Sequence, residues 1–415
     1  MKIFSSIKRN SVPVLVYKAF CKITCRLAYS AARLFPVRDM AVFVSTPDYA
    51  DNARALSDFV RGDKRFDGMR IVWLVSSPSA EAEVRSDGLD CLRLRHGANG
   101  FKSALLTGRA RYVFFTHGFF PSYYKIRKGQ TVVNLWHGCG YKYVAPSRIP
   151  FSFALVPGEL FVDVKAKSFS CDRSKILPIG YPRYDHMMNP RMSASEIRRG
   201  LNLPEVGKFV LWLPTFRKST RADYAEGDIE SELGLPLLRN MDELIELDAK
   251  CAELGISLVV KRHPSQVAYA IEKDATSLTR IRFITQGDLS SAHVDLYELF
   301  AASDALISDY SSAAVDYLLL DRPLAYVLDD YKEYEAARGF CLDNVKRYMP
   351  GPHLFCLNDL IAFVESVSNN EDRFSKKRSE VSRLAHNPCN CYMDRLVKLL
   401  VNEADDVTGV VALNE

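Results

Sequence analysis

Acidic residues are missing from the first 38 positions, where eight lysines and arginines stand without a counter-charge. The whole chain carries a formal charge of +5, so removing those eight leaves the remainder at −3. The positive charge belongs to one end, and gives no ground for a nucleic-acid partner. Long hydrophobic runs are also lacking: none approaches the ~20 residues needed to cross a bilayer. No small-residue cleavage site closes the N-terminus, so a cytoplasmic protein is expected. The ten cysteines include no C-x-x-C pair; Cys21 and Cys25 lie one helical turn apart and Cys389 and Cys391 two positions apart. That spacing does not resemble a zinc site with its second pair, and reduced thiols are expected. Nor is there a compact acidic cluster, since Asp309 and Asp316 fall on opposite sides of an expected turn and Asp329–Asp330 follow another strand. A protein-held divalent metal and a cofactor are therefore not expected.

What the N-terminal end does contain is a periodic pattern. Val12, Leu15, Val16, Ala19, Phe20, Ile23 and Leu27 recur every three or four positions, with Lys18, Lys22 and Arg26 beside them. This spacing predicts an amphipathic helix within a basic segment 1–38. Such a helix suits either the headgroup region of an anionic membrane or a place against the protein body.

From residue 40 onward, β-rich runs alternate with helical stretches: MAVFVST, MRIVWLVSS, ARYVFFTHG and QTVVNLWHG, then FALVPG and KILPIG. The pattern restarts with KFVLWLPTF, ISLVVKRHP, IRFITQG, DALISDYSS and RPLAYVLDD. Alternation of this kind builds parallel sheets with helices on both faces. A length of 415 residues at 48% hydrophobic content fills two cores rather than one. The expected architecture is α/β, with two Rossmann-like domains over 39–195 and 196–415. A polar stretch beginning at Arg217 reads as an insertion after a strand, where it can overhang a cleft.

Ligands of open α/β sheets sit beyond the carboxyl ends of strands, and the chemically informative residues lie there. In TVVNLWHGCGYK, His137 follows an apolar strand and Gly138 lets the backbone approach a ligand. With an ordinary pKa near ~6.5, a strand-end histidine can serve as a base, or it can simply cap the strand. Lys261, Arg262 and His263 end another strand, and Arg217 ends a third; cationic donors there suit a diphosphate, though they also suit a solvated edge. In SDYSSAAVDY, Ser311 and Ser312 stand where a helix begins, able to bind phosphate oxygens or to act as an N-cap. Asp316 is placed to face a ligand or to pair with a basic neighbour, and Asp309 to orient His263 or to cap.

Taken together, WHG at 136–138, GYPRYD at 180–185, LPTFR at 213–217, KRHP at 261–264, the run 308–334, RGF at 338–340 and PGP at 350–352 resemble the CDP-glycerol glycerophosphotransferases of teichoic-acid and capsule synthesis. The resemblance covers roughly residues 110–355. It implies a glycosyltransferase-B-like fold, and transfer of glycerol phosphate or ribitol phosphate from CDP-glycerol or CDP-ribitol to a hydroxyl of a lipid-linked or polymer acceptor, releasing CMP. It further implies His137 as the base, His263 and Arg217 on the transferring phosphates, and the Ser311/Ser312 helix start on the donor diphosphate; Arg262, Gly138, Lys142, Asp309 and Asp316 are further substrate-binding candidates. A peripheral position on the inner face of the membrane follows from the acceptor. Many members read W-H-G-T-P-L-K where this chain has Cys139, Gly140 and Tyr141 before Lys142, so the polyol and acceptor stay open. A UDP-sugar glycosyltransferase or epimerase of the same fold, and a non-catalytic membrane scaffold, are the alternatives; both histidines and Arg217 argue against the scaffold.

Overall fold

The computed structural model describes residues 12–94, 98–120, 124–214, 233–261 and 278–405. Two parallel sheets organise it. The first contains β1 (Arg38–Val44), β2 (Arg70–Val75), β3 (Asp90–Arg93), β4 (Ala110–Phe115), β5 (Thr131–Asn134), β6 (Phe153–Leu155) and β7 (Ile176–Leu177), in the order β3-β2-β1-β4-β5-β6-β7. The second contains β8 (Lys208–Trp212), β9 (Ile256–Lys261), β10 (Ile281–Ile284), β11 (Ala305–Ser308), β12 (Leu324–Val327) and β13 (His353–Leu354), in the order β10-β9-β8-β11-β12-β13. Each order reads 3-2-1-4-5-6 from its own first strand, the doubly wound pattern whose direction reverses beside that strand. Strands covered by helices on both faces need apolar side chains on both, which is why β9 and β11 are buried at every position.

Alternation along β8 assigns the faces. Val210 and Trp212 join a core confined to the second domain, whereas Phe209 and Leu211 join a core continuous with the first. The two domains thus share buried apolar surface. The last helix, Tyr392–Asp405, strengthens the link: it lies within the span 196–415 expected for the second domain, yet it returns to the first. Asp185 of GYPRYD caps it, accepting from the backbone N–H of Tyr392 (2.8 Å) and Met393 (2.9 Å). Arg65 pairs with Asp394 at 2.6 Å, and the Tyr112 hydroxyl donates to the Leu400 carbonyl at 3.3 Å.

The N-terminal helix spans Val12–Ala32. It meets the helix Ala98–Thr107 through its small residues: Ala28 and Ala32 are buried, and a Cβ on Gly108 would come within 2.7 Å of the Ala32 Cβ. Phe20, Ile23 and Leu27 point away from the body, with 57%, 59% and 61% of their surface open, and Leu34 and Phe35 continue the apolar strip. The side chains of Val12, Leu15, Val16 and Ala19 lie outside the described residues. Among the described residues no helix is long and apolar enough to cross a membrane.

Candidate active site at the domain junction

The carboxyl ends of β4 and β5 carry the first half of the site. After β5 the chain turns through Trp136, which takes a positive φ of 54°. A non-glycine residue in that region is held there by its neighbours: Asn134 accepts from the Trp136 N–H at 3.0 Å, and the Asn52 amide donates to the Trp136 carbonyl at 2.9 Å. The turn presents His137. Its Nδ1 lies 3.1 Å from the Thr116 carbonyl, an oxygen that can only accept, so the proton sits on Nδ1 and Nε2 carries the lone pair.

A second histidine, His117, ends β4 and lies flat against the first, with ring centroids 3.8 Å apart and planes 7° from parallel. The Thr116 hydroxyl oxygen accepts from the Thr46 N–H at 3.1 Å and lies 3.2 Å from His117 Nδ1. Burial lowers the pKa of both rings, and His137 is driven down to about 3 by burial first and then by His117, with Lys165 and Arg183 adding to the effect. His117 was not singled out from the sequence, although THG repeats the strand-end pattern of WHG one strand earlier.

Lys165, on the helix Val162–Phe169, also escaped notice. It is only 4% exposed, and its ammonium sits 4.5 Å from the centre of the Trp136 indole. Its signal in the sequence is a cation on the apolar stripe formed by Val162 and Phe169.

Across the junction, β11 leads into the turn Asp309–Ser311 and the short helix Ser312–Tyr317. Asp309 accepts from the Ser311 N–H at 3.1 Å, and the Ser311 hydroxyl accepts from the Ala313 N–H at 3.3 Å, so both make capping bonds. The helix start is pressed against the WHGCG turn. A Cβ on Gly138 would lie 2.5 Å from Ser312 Oγ, and one on Gly140 2.7 Å from the Ser312 N, distances that only glycine permits. Gly138 also needs its φ of 128°. Beyond it, Lys142 forms an antiparallel bridge with Phe340; the Cys341 N–H donates to the Tyr141 carbonyl at 2.9 Å and the Tyr143 N–H to the Gly339 carbonyl at 3.1 Å. RGF is thereby the segment that pairs with the loop after WHG.

Asp316, expected at the substrates, is fully buried and turned elsewhere. Its carboxylate accepts from Arg183 Nη2 at 2.7 Å, from the Tyr297 hydroxyl at 2.5 Å and from the Tyr184 hydroxyl. Arg183, from GYPRYD, also donates to Asp51 at 2.7 Å and to the His137 carbonyl at 3.1 Å. Of the two roles open to Asp316, pairing with a basic neighbour is the one realised, because three donors occupy its oxygens and none of its surface is open. Arg217, Arg262 and His263 lie outside the described residues. The strands that lead to them, β8 and β9, end on the same edge of the second sheet. Among the described residues no three His, Cys, Asp or Glu side chains gather as metal ligands.

The model of the CDP-glycerol:poly(glycerophosphate) glycerophosphotransferase family matches residues 27–388. The chain is 27% identical over 283 residues to the teichoic acid ribitol-phosphate primase of Bacillus spizizenii, covering 62% of this chain and 66% of that one. It is 26% identical over 338 residues to the teichoic acid poly(glycerol phosphate) polymerase of Staphylococcus epidermidis, covering 74% of this chain but 42% of the relative. The solved wall teichoic acid polymerase TagF has the same fold, with a TM-score of 0.70 at 20% identity over 95% of this chain and 96% of that one. A variant of that polymerase soaked with CDPG superposes at 0.66, over 94% of this chain and 96% of that one, also at 20% identity. With the motifs, their order and two-thirds or more of the chain in register, this protein belongs to the CDP-glycerol:poly(glycerophosphate) glycerophosphotransferase family.

Proposed function

We propose that the protein transfers glycerol phosphate or ribitol phosphate from a CDP-polyol to a hydroxyl of a teichoic-acid or capsule acceptor. The observation that carries this reading is the tautomer of His137: an Nδ1–H tied to a carbonyl and a free Nε2 lone pair at the domain junction. That nitrogen takes the proton of the acceptor hydroxyl as its oxygen attacks the phosphorus bearing the polyol. The bond from that phosphorus to the bridging oxygen breaks, and CMP leaves with the electron pair. His263, Arg217 and Arg262 stabilise the charge that moves onto the leaving phosphate, and the Ser311/Ser312 helix start contributes hydroxyls and N–H groups on the donor side. The acceptor is lipid-linked or a polymer, and the exposed Phe20, Ile23, Leu27, Leu34 and Phe35, with Lys18, Lys22 and Arg26 nearby in sequence, bring the enzyme to the cytoplasmic face of an anionic membrane. The test is product identity. Purified protein is incubated with a lipid-linked acceptor and CDP-glycerol, CDP-ribitol or a UDP-sugar in turn. CMP release with a CDP-polyol is the expected result, and UDP release without CMP overturns the reading.

A further inference from the structure

The base is surrounded by positive and hydrogen-donating groups of unequal standing. Arg183 touches the His137 carbonyl, but two carboxylates, Asp51 and Asp316, neutralise it. Lys165 has no such partner: its ammonium faces the indole of Trp136 and, at 5.8 Å, the ring of Phe169, and no carboxylate among the described residues reaches it. An aromatic face offsets only part of what a buried ammonium loses on leaving water. On the other side of His137, the His117 ring stacks flat at 3.8 Å, and Thr116 engages only its Nδ1. A buried cation lacking an anion thus lies beside the ring that is to receive a proton, on the indole next to it, and its charge acts on that ring.

We propose that Lys165 forms an anion subsite beside His137, which takes the phosphate next to the attacking hydroxyl of an acceptor already ending in a polyol phosphate. The inference rests on the transferase reading and narrows it: the protein extends a chain rather than starting one on a neutral sugar. The same arrangement explains why so weak a base is used. His137 is held neutral by its burial and by the positive groups around it, and an incoming phosphate supplies the one charge that makes the imidazolium favourable as the hydroxyl proton arrives. Acceptor binding thereby switches the base on.

The experiment compares two lipid-linked acceptors, identical except that one ends in a neutral sugar and the other in a single glycerol phosphate, with CMP release as the readout. For the unmodified protein, kcat/KM should be higher with the phosphate-ended acceptor. Lys165→Gln should lower that preference about 10- to 100-fold, as expected for losing one hydrogen bond to a charged group. Lys165→Arg should restore most of it, and glycerol phosphate should compete with the phosphate-ended acceptor in the Lys165→Arg protein but not in Lys165→Gln. Equal losses with both acceptors, or a raised KM for CDP-glycerol with no change in acceptor preference, would assign Lys165 to support of Trp136 or to the donor and overturn the subsite. Absence of CMP release from the unmodified protein with either acceptor would instead overturn the transferase reading, and the subsite with it.

Discussion

Replacing Asp316 by asparagine keeps the shape of a side chain whose surroundings are entirely protein, but removes the charge that faces Arg183, Tyr297 and Tyr184. All three donate to it, and the new amide nitrogen must point a proton at one of them. Breaking a buried pair by removing one partner costs about 3–5 kcal/mol. Arg183 keeps Asp51 at 2.7 Å, which holds the loss near the lower end, about 3 kcal/mol. For domains of this size that corresponds to a fall in Tm of about 6–12 °C. Because Arg183 comes from the first domain and Asp316 from the second, the change should also loosen their junction and raise the radius of gyration seen by small-angle scattering. Circular dichroism melting and scattering on the same sample would check both. A Tm within 2 °C of the parent for Asp316→Asn would refute the reasoning.

His137→Ala should cut turnover by about 10²–10⁴ while CDP-polyol binding, followed by calorimetry, persists, because the base acts on the acceptor. With the pKa of His137 lowered to about 3 from 6.5, the unfolded chain takes a proton in that interval that the folded protein refuses. Folding stability should therefore fall as pH drops through this window, by at most ~1.4 kcal/mol per pH unit from this group, and urea titrations at pH 7 and 5 on the parent and a His137→Ala protein would isolate it. The combined change of Phe20, Ile23 and Leu27 to serine should weaken sedimentation with anionic vesicles while leaving CMP release from a soluble acceptor analogue in place. Exhaustive chelation should leave CMP release intact, since side chains carry the charge stabilisation; a loss restored only by added divalent ions would contradict this.

Both sheets were legible because their strands are unbroken apolar runs ending in turn residues, and WHG and SDYSS could be placed at strand ends on the same ground. The short strands β3 and β13 were not foreseen; at four and two residues they carry too little periodicity to register. Partners across the junction were equally hidden. Asp316 could be narrowed to two roles, but nothing in spacing says that Arg183, 133 positions earlier, would fill one of them. Lys165 read as an ordinary helix lysine because its distinguishing feature is what lies above it, a tertiary fact. The last helix was assigned by chain order to the second domain, whereas its cap, Asp185, belongs to the first.

The contact between Gly140 and the Ser312 backbone has a bearing on how such chains diverge. A Cβ at 140 would meet the Ser312 N at 2.7 Å, so a residue with a side chain there would force the Ser312 turn to shift or be refused. Residues 139–141 and the turn before Ser312 therefore pack as one unit, although they are distant in sequence. A side chain written into the first loop has to be answered in the second, and transplanting the first loop alone imports a wedge.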